Sequence, residues 1–326
     1  MSTAPDMLLA PVIVEFPRYG NRAHRATVTG LRAWVHFSRR VLGGRGVGLA
    51  CVAVAKIAAT DRSVTFRLAS GGHFTVDATD RYWVLPLLLD AAYEPDLDWF
   101  LTGALRADDV FLDCGANAGV WSVAASSVIV DPSRVVAVEA GRTAFGRLSR
   151  NAANNPGRFT TVNRALSDQS NCLLEFFSDD ADTASASLVR AMATDGARSE
   201  QVTTIALGDL LPPHDCSEAL TFLKLDIEGM EETVIASCPP EAFDNVIVMY
   251  EDHGRDPTSA VTAMLLTHGF SIWLLLDEGH AVPVIETDQV RPYKVDPHKG
   301  YNLIAARPGT RGEARVAQTI SSSAIT

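Results

Sequence analysis

The chain has 326 residues, 47% of them hydrophobic and 21% charged, with a formal net charge of −11. This balance suits a globular protein with a sizeable core. It excludes a general phosphate-backbone binder and argues against docking on anionic membranes, since both need basic surface. The exception is a local basic patch expected around Arg32, Arg39, Arg40 and Arg45. Five cysteines with no C-x-x-C pair argue against a disulfide framework or a cysteine-rich zinc site, so a cytoplasmic location is expected. The N-terminus lacks the pattern of a signal peptide. The apolar window Val47 to Thr60 is interrupted by Lys56 and is too short to span a bilayer, so it reads as a core segment.

In chain order, the first sixty residues are weakly patterned and read as partly helical. Val64 to Leu68 and His73 to Asp77 alternate around Gly71-Gly72, which predicts a hairpin. Tyr82 to Leu105 has helical spacing broken by Pro86 and Pro95. From Asp109 the pattern becomes strand, loop, helix, repeated. Strands are predicted over Val110–Leu112, Arg134–Val138, Thr160–Asn163, Leu220–Leu225 and Val246–Tyr250. Helices are predicted over Trp121–Ile129, Thr143–Ala153, Glu231–Ser237 and Thr258–His268. Such alternation implies βαβ units and a mostly parallel, doubly wound sheet with helices on both faces. Ser271–Leu276 and Asn302–Ala306 are expected to close the sheet at one edge. Ser178–Glu200 reads as a mobile loop, and the tail after Pro308 as disordered.

Two stretches carry chemistry. In DVFLDCGANAGVWSVAA, Asp109 to Ala125, Asp113 ends a strand and Gly115 and Gly119 flank Asn117. Glycines permit a sharp turn and close approach of a ligand to the backbone. The next strand ends in Glu139, where a carboxylate can accept hydrogen bonds from ribose hydroxyls. Strand, Asp, Gly-rich turn, helix, strand and Glu together describe a nucleoside-cofactor site at the carboxyl edge of the sheet. The dinucleotide pattern G-x-G-x-x-G is absent, because Asn117 stands where its second glycine would be. The D-x-G-x-N-x-G form resembles the first motif of S-adenosylmethionine-dependent methyltransferases. The second stretch is TFLKLDIEGMEETVI, Thr221 to Ile235, which places Lys224, Asp226 and Glu228 between a strand and a helix start. Glu232 reads as a favourable partner of the helix dipole.

With K-x-D-x-E-G-x-E at Lys224 to Glu231, YEPDLDWFL at Tyr93 to Leu101 and NRALSDQS at Asn163 to Ser170, the chain resembles the FkbM family of methyltransferases over about Asp77 to Arg307. One departure is Ala140, where the family usually has proline after the glutamate. The resemblance implies a class I methyltransferase fold and O-methylation. By position, Asp113, Gly115, Asn117 and Gly119 would surround the methionine end of the cofactor. Glu139 would hold the ribose, and Ala165 and Leu166 would offer backbone groups to the adenine, with Asp168 nearby.

MYEDHG, Met249 to Gly254, ends another strand and leaves two chemistries open. His253 or Asp226 could take the acceptor proton, with Glu228 beside them. Alternatively, Asp226, Glu251 and Asp252 could bind a magnesium ion that orients the acceptor oxygens. The expected organisation is an N-terminal extension with helix and hairpin over 1–80, a methyltransferase domain over 81–308 and a tail over 309–326. The expected partner is a small-molecule or glycan hydroxyl acceptor, with neither nucleic acid nor a membrane span, and homo-oligomerisation is left open. The rivals are a nicotinamide-dependent oxidoreductase and a non-catalytic cofactor-binding protein of the same fold.

Overall fold

The computed structural model describes residues 7–9, 13–15, 22–42, 63–77, 93–179, 182–187, 198–212, 219–227, 229–254, 256–277, 279–296 and 299–323. The Val47–Thr60 window, Tyr82, Trp83 and Glu228 lie outside these residues.

Strand β1 (Ile13–Glu15) pairs antiparallel with β2 (Ser63–Arg67), and β2 pairs with β3 (His73–Asp77) around the predicted glycine turn. Helix α1 (Arg22–Leu42) lies between β1 and β2 in sequence. It carries Arg32, Arg39 and Arg40 of the expected basic patch and buries Leu31 and Val35. Next is α2 (Pro95–Ala104), opened by Pro95 with Asp96 and Asp98 in its first turn, where negative charge complements the helix dipole. Asp98 is fully buried and accepts hydrogen bonds from the Leu8 and Leu9 amides, which ties the N-terminal segment to α2.

The central sheet then forms. β4 (Val110–Cys114), α3 (Val120–Ala125), β5 (Val135–Val138), α4 (Arg142–Asn154) and β6 (Thr160–Val162) alternate as the sequence spacing predicts. After an excursion through β7 (Ala165–Ser167), β8 (Leu173–Asp179), β9 (Asp182–Ser187), β10 (Arg198–Ala206) and α5 (Leu207–Leu210), the chain returns as β11 (Thr221–Leu225), α6 (Glu231–Ala236), β12 (Val246–His253) and α7 (Ala260–Thr267). It closes with β13 (Ser271–Leu276), β14 (His280–Val284), β15 (Gly300–Ala306) and α8 (Arg311–Ser323).

The strand order is β14-β13-β15-β12-β11-β4-β5-β6. β6, β5, β4, β11 and β12 run parallel, and β15 inserts antiparallel between β12 and β13. From β4 the chain winds first toward β6 and later toward β12, so the switch point lies between β4 and β11. The sheet is thus the mostly parallel, doubly wound α/β arrangement expected from the spacing. Residues of one parity along β4, β11, β12 and β15 (Phe111, Phe222, Ile247, Met249, Ile304) pack on one face with α2, α3, α4 and α8. The other parity (Leu112, Leu223, Val248, Tyr250, Leu303) packs on the opposite face with α6 and α7.

Three expectations are corrected. β15 is not an edge strand: it hydrogen-bonds on both sides, and the β13–β14 hairpin forms the edge. Part of the stretch read as a mobile loop is sheet, because β10 starts at Arg198 and pairs with β8 and β7 while β9 pairs with β8. Of the tail beyond Pro308, Arg311–Ser323 is helix α8. Its Val316 is fully buried, and its Arg315 reaches the buried Asp109 carboxylate at 3.1 Å and the Ala104 carbonyl at 2.8 Å.

Candidate active site

The parallel strands deliver Asp113, Glu139, Asp226 and Glu251 to one edge, because Lys224 registers with Asp113 and with Met249, and Cys114 registers with Val138. The loop after β4 is held in left-handed backbone at Gly115 (φ 81°), Asn117 (φ 49°) and Gly119 (φ 84°). The glycines answer first to the chain's own packing. A Cβ on Gly115 would stand 1.8 Å from the Asp226 carbonyl oxygen, and one on Gly119 would stand 2.4 Å from Leu148 Cδ1. Gly115 therefore lets the exits of β4 and β11 touch, which brings Asp226 beside the loop.

Asp113 is buried and accepts hydrogen bonds on Oδ2 from the Ser122 amide (3.1 Å) and hydroxyl (2.6 Å). Its Oδ1 and the Asn117 Oδ1 are buried and have no hydrogen-bond partner among the described residues. Burial raises the Asp113 carboxyl above the usual carboxylate range, against the pull of Lys224. Glu139 is 7% exposed, and its two oxygens accept from the Asn117 amide (2.9 Å) and the Gly141 amide (2.8 Å). Burial pushes Glu139 up to about 7 in spite of those hydrogen bonds. Asn163, just past β6, steadies this turn by donating to the Glu139 and Ala140 carbonyls.

Lys224 is buried and binds Asp226 at 2.8 Å. Burial works against its ammonium, but Asp226, Glu94, Asp113 and Glu251 outweigh that and hold its pKa above the ordinary lysine value. Four carboxyl groups thus face one lysine. Glu231 is not among them: its oxygens fold back onto the Ile227 and Gly229 amides at 2.9 Å and brace the turn after β11. Glu251 fits against Gly300, where a Cβ would stand 2.2 Å from its Oε2, and His253 Nδ1 lies 3.7 Å from the same oxygen.

The three residues considered for magnesium do not gather. Asp252 points to the opposite face from Glu251 and Asp226, because side chains alternate along β12. There it binds Lys294 Nζ at 2.5 Å and accepts from Thr262 Oγ1 at 3.3 Å. Among the described residues no group of three His, Cys, Asp or Glu side chains could hold a metal ion.

Ala165 and Leu166 sit in β7, registered with Thr204 and Ile205 of β10, and both are buried. Asp168 lies exposed beyond them and accepts from the Ser167 hydroxyl. Glu94 joins the cluster around Lys224 although no sequence pattern singles it out. It precedes α2 and accepts from Trp121 Nε1 at 2.8 Å.

With this geometry in view, residues 113–272 match the methyltransferase FkbM domain family. The chain carries an FkbM methyltransferase domain. No curated protein matches it. Seventeen solved chains match. One is precorrin-6y C5,15-methyltransferase from Geobacter metallireducens, 16% identical, covering 64% of this chain and 84% of that one at a TM-score of 0.35. Another is a proposed RNA methyltransferase from Pyrococcus horikoshii, 12% identical, covering 65% and 79% at 0.32. A third, a proposed transferase from Pyrococcus horikoshii, is 12% identical and covers 86% and 85% at 0.36.

The methyl donor implied by an FkbM methyltransferase domain is S-adenosylmethionine, and the residues fit it. An orphaned carboxylate oxygen on Asp113 suits an ammonium donor, and a surplus of carboxylates suits a ligand that also carries a sulfonium. Among the described residues no helix is long and apolar enough to cross a membrane.

Proposed function

We propose that the protein is an S-adenosylmethionine-dependent O-methyltransferase acting on a hydroxyl of a sugar or a secondary metabolite. The observation that carries this reading is the buried, unpartnered Asp113 Oδ1 within a cluster where Lys224 faces four carboxylates. In this reading Asp113 and the Gly115–Gly119 loop hold the methionine end. Glu139 holds the ribose through the acceptor capacity its two amide bonds leave free. Ala165, Leu166 and Asp168 border the adenine. Asp226 and His253 lie toward the acceptor, on the face shared with Glu251. The cofactor supplies an electrophilic methyl group. The chain supplies alignment of the acceptor oxygen and a place for its proton.

Calorimetric titration with S-adenosylhomocysteine tests the reading. Saturable binding that is lost in Asp113→Ala supports it. Binding of NAD without binding of S-adenosylhomocysteine would replace it with the oxidoreductase alternative. Cofactor binding without methyl transfer to any sugar, catechol or alcohol acceptor would favour the non-catalytic one.

A further inference from the structure

The Tyr93–Trp121 contact and the buried charges beside it point to a role for a residue the function has not yet used. Glu94 adopts φ 42° and ψ 63°, left-handed backbone that a non-glycine residue enters only at a cost. Pro95 follows at the first position of α2, and the Asp98 amide bonds the Glu94 carbonyl at 2.9 Å, so the helix start holds this conformation. The side chain is held as well. Its Oε2 accepts from the indole of buried Trp121 at 2.8 Å, and the Tyr93 ring lies 6.4 Å from the Trp121 ring. Trp121 belongs to α3, the helix that continues the Asn117–Gly119 loop. Glu94 is thereby registered to the loop assigned to the methionine end.

The groups that face Glu94 are Lys224 from β11, Asp226 just beyond it, Asp96 from α2, and the Tyr93 side chain, which hydrogen-bonds it. Asp113 and Glu251 join them around Lys224. Burial, ahead of the opposing pull of Lys224, pushes the Glu94 carboxyl up to about 7. Asp226 differs in geometry, since its Oδ2 is occupied by the Lys224 ammonium at 2.8 Å. His253 stands further along β12 beside Glu251.

Resting on the O-methyltransferase reading, we propose that Glu94 is the catalytic base that takes the proton of the acceptor hydroxyl at the methyl-bearing end of the cofactor site. The acceptor oxygen bonds to the methyl carbon, and the carbon–sulfur bond breaks with its electron pair going to sulfur. The hydroxyl proton passes to a Glu94 carboxylate oxygen. The timing is electrostatic. A sulfonium close to Glu94 lowers its pKa, so the carboxylate is ionised before the reaction. Transfer of the methyl group removes that positive charge, so the proton affinity of Glu94 rises in the step that releases the proton.

The test needs no acceptor. S-adenosylhomocysteine and sinefungin share the α-ammonium group, but only sinefungin carries a positive charge where the methyl group would sit. Both are titrated calorimetrically at pH 6.5 in two buffers of different ionisation enthalpy. Sinefungin should release up to about 0.8 proton from Glu94, and S-adenosylhomocysteine much less. Glu94→Gln should abolish the difference and leave S-adenosylhomocysteine affinity within about twofold. Trp121→Phe, which keeps the carboxyl but removes its indole donor, should move the midpoint of the proton release to higher pH. Equal proton release with both ligands, or S-adenosylhomocysteine affinity that falls tenfold or more in Glu94→Gln, would make Glu94 a ligand of the α-ammonium group and overturn the proposal. A wild-type protein that binds neither ligand refutes the parent reading, and the proposal falls with it. Binding without any charge-dependent proton release refutes the proposal alone.

Discussion

Adjacent residues of β12 end in opposite electrostatic worlds. Glu251 and His253 face the side of the sheet where Lys224 meets Glu94, Asp113 and Asp226, while Asp252 faces the side covered by α6 and α7. On the second side the charge is matched. Lys294 Nζ bonds the Asp252 carboxylate, the Asp256 carbonyl and the Ser259 hydroxyl, and Thr262 bridges Asp252 to the buried Tyr250 hydroxyl. On the first side carboxylates outnumber ammonium groups and Asp113 Oδ1 lacks a partner. A buried polar group left unsatisfied costs free energy, so a fold keeps one chiefly where a ligand completes it. Alternation by one residue thus separates a structural ion pair from a site awaiting a cation.

The largest effect should come from breaking the matched side. Lys294→Met leaves the 3%-exposed Asp252 side chain as an uncompensated buried charge and should cost about 3–5 kcal/mol by urea denaturation at pH 7. Adding Asp252→Leu should recover most of that loss, because a packed apolar pair can replace a buried ion pair. If the double variant is no more stable than the single one, Asp252 has a role beyond its pairing with Lys294. S-adenosylhomocysteine affinity should stay near wild type in the refolded double variant, since the pair faces away from the site.

Next in size is the ribose assignment on the other side. Glu139→Ala removes the acceptor for two backbone amides and for the hydroxyls of the ligand. It should weaken S-adenosylhomocysteine binding about 10- to 100-fold, the scale of hydrogen bonds to a charged group. Unchanged affinity in calorimetry would remove Glu139 from the cofactor site. Gly115→Ala should be comparably damaging but for a different reason. Its Cβ would collide with the Asp226 carbonyl and its φ would stay positive, so at least about 1 kcal/mol of stability should go together with binding.

The difference between these two substitutions marks how far the sequence could be read. Strand, turn and carboxylate spacing alone puts Asp113, Gly115, Asn117, Gly119 and Glu139 at one sheet edge. Spacing could not say that Gly115 is bare because Asp226 lies against it, since that contact joins residues over a hundred positions apart. It also could not separate Glu251 from Asp252. Both are acids at a strand end, and only the alternation of the pleat, fixed by which face buries Tyr250 and Met249, sends them apart. Glu94 carried no periodic or dipeptide signal of chemistry, because its environment is assembled from β4, β11, α2 and α3. Spacing puts both late strands at one edge of the sheet, whereas the pairing of β15 on both sides is a tertiary choice. In the small β7–β10–β8–β9 sheet, β9 is a run of polar and small residues that looks like loop until it pairs with β8.

The pH dependence of stability sharpens the comparison with a smaller effect. Glu139 in the ligand-free protein sits near 7, above its unfolded value of 4.5, so the folded state binds more protons between those limits. Stability from this group is fully present below about 4.5 and is lost as pH rises through 7. Asp256, whose pKa is lowered despite partial burial because Thr258 and Ala260 donate to it, acts in the opposite sense at more acid pH. The comparison should therefore be made as a difference: wild type minus Glu139→Gln, by thermal melting from pH 5 to 8. The gap should narrow as pH rises toward 8, because the neutral amide keeps its stability where the carboxylate loses its own. S-adenosylhomocysteine should oppose the wild-type loss, since ribose hydroxyls donating to Glu139 favour its ionised form. A gap that does not change with pH would mean that Glu139 titrates in the folded protein as it does in the unfolded chain. The first side of the sheet would then lack the buried excess of acid that sets it apart from the second.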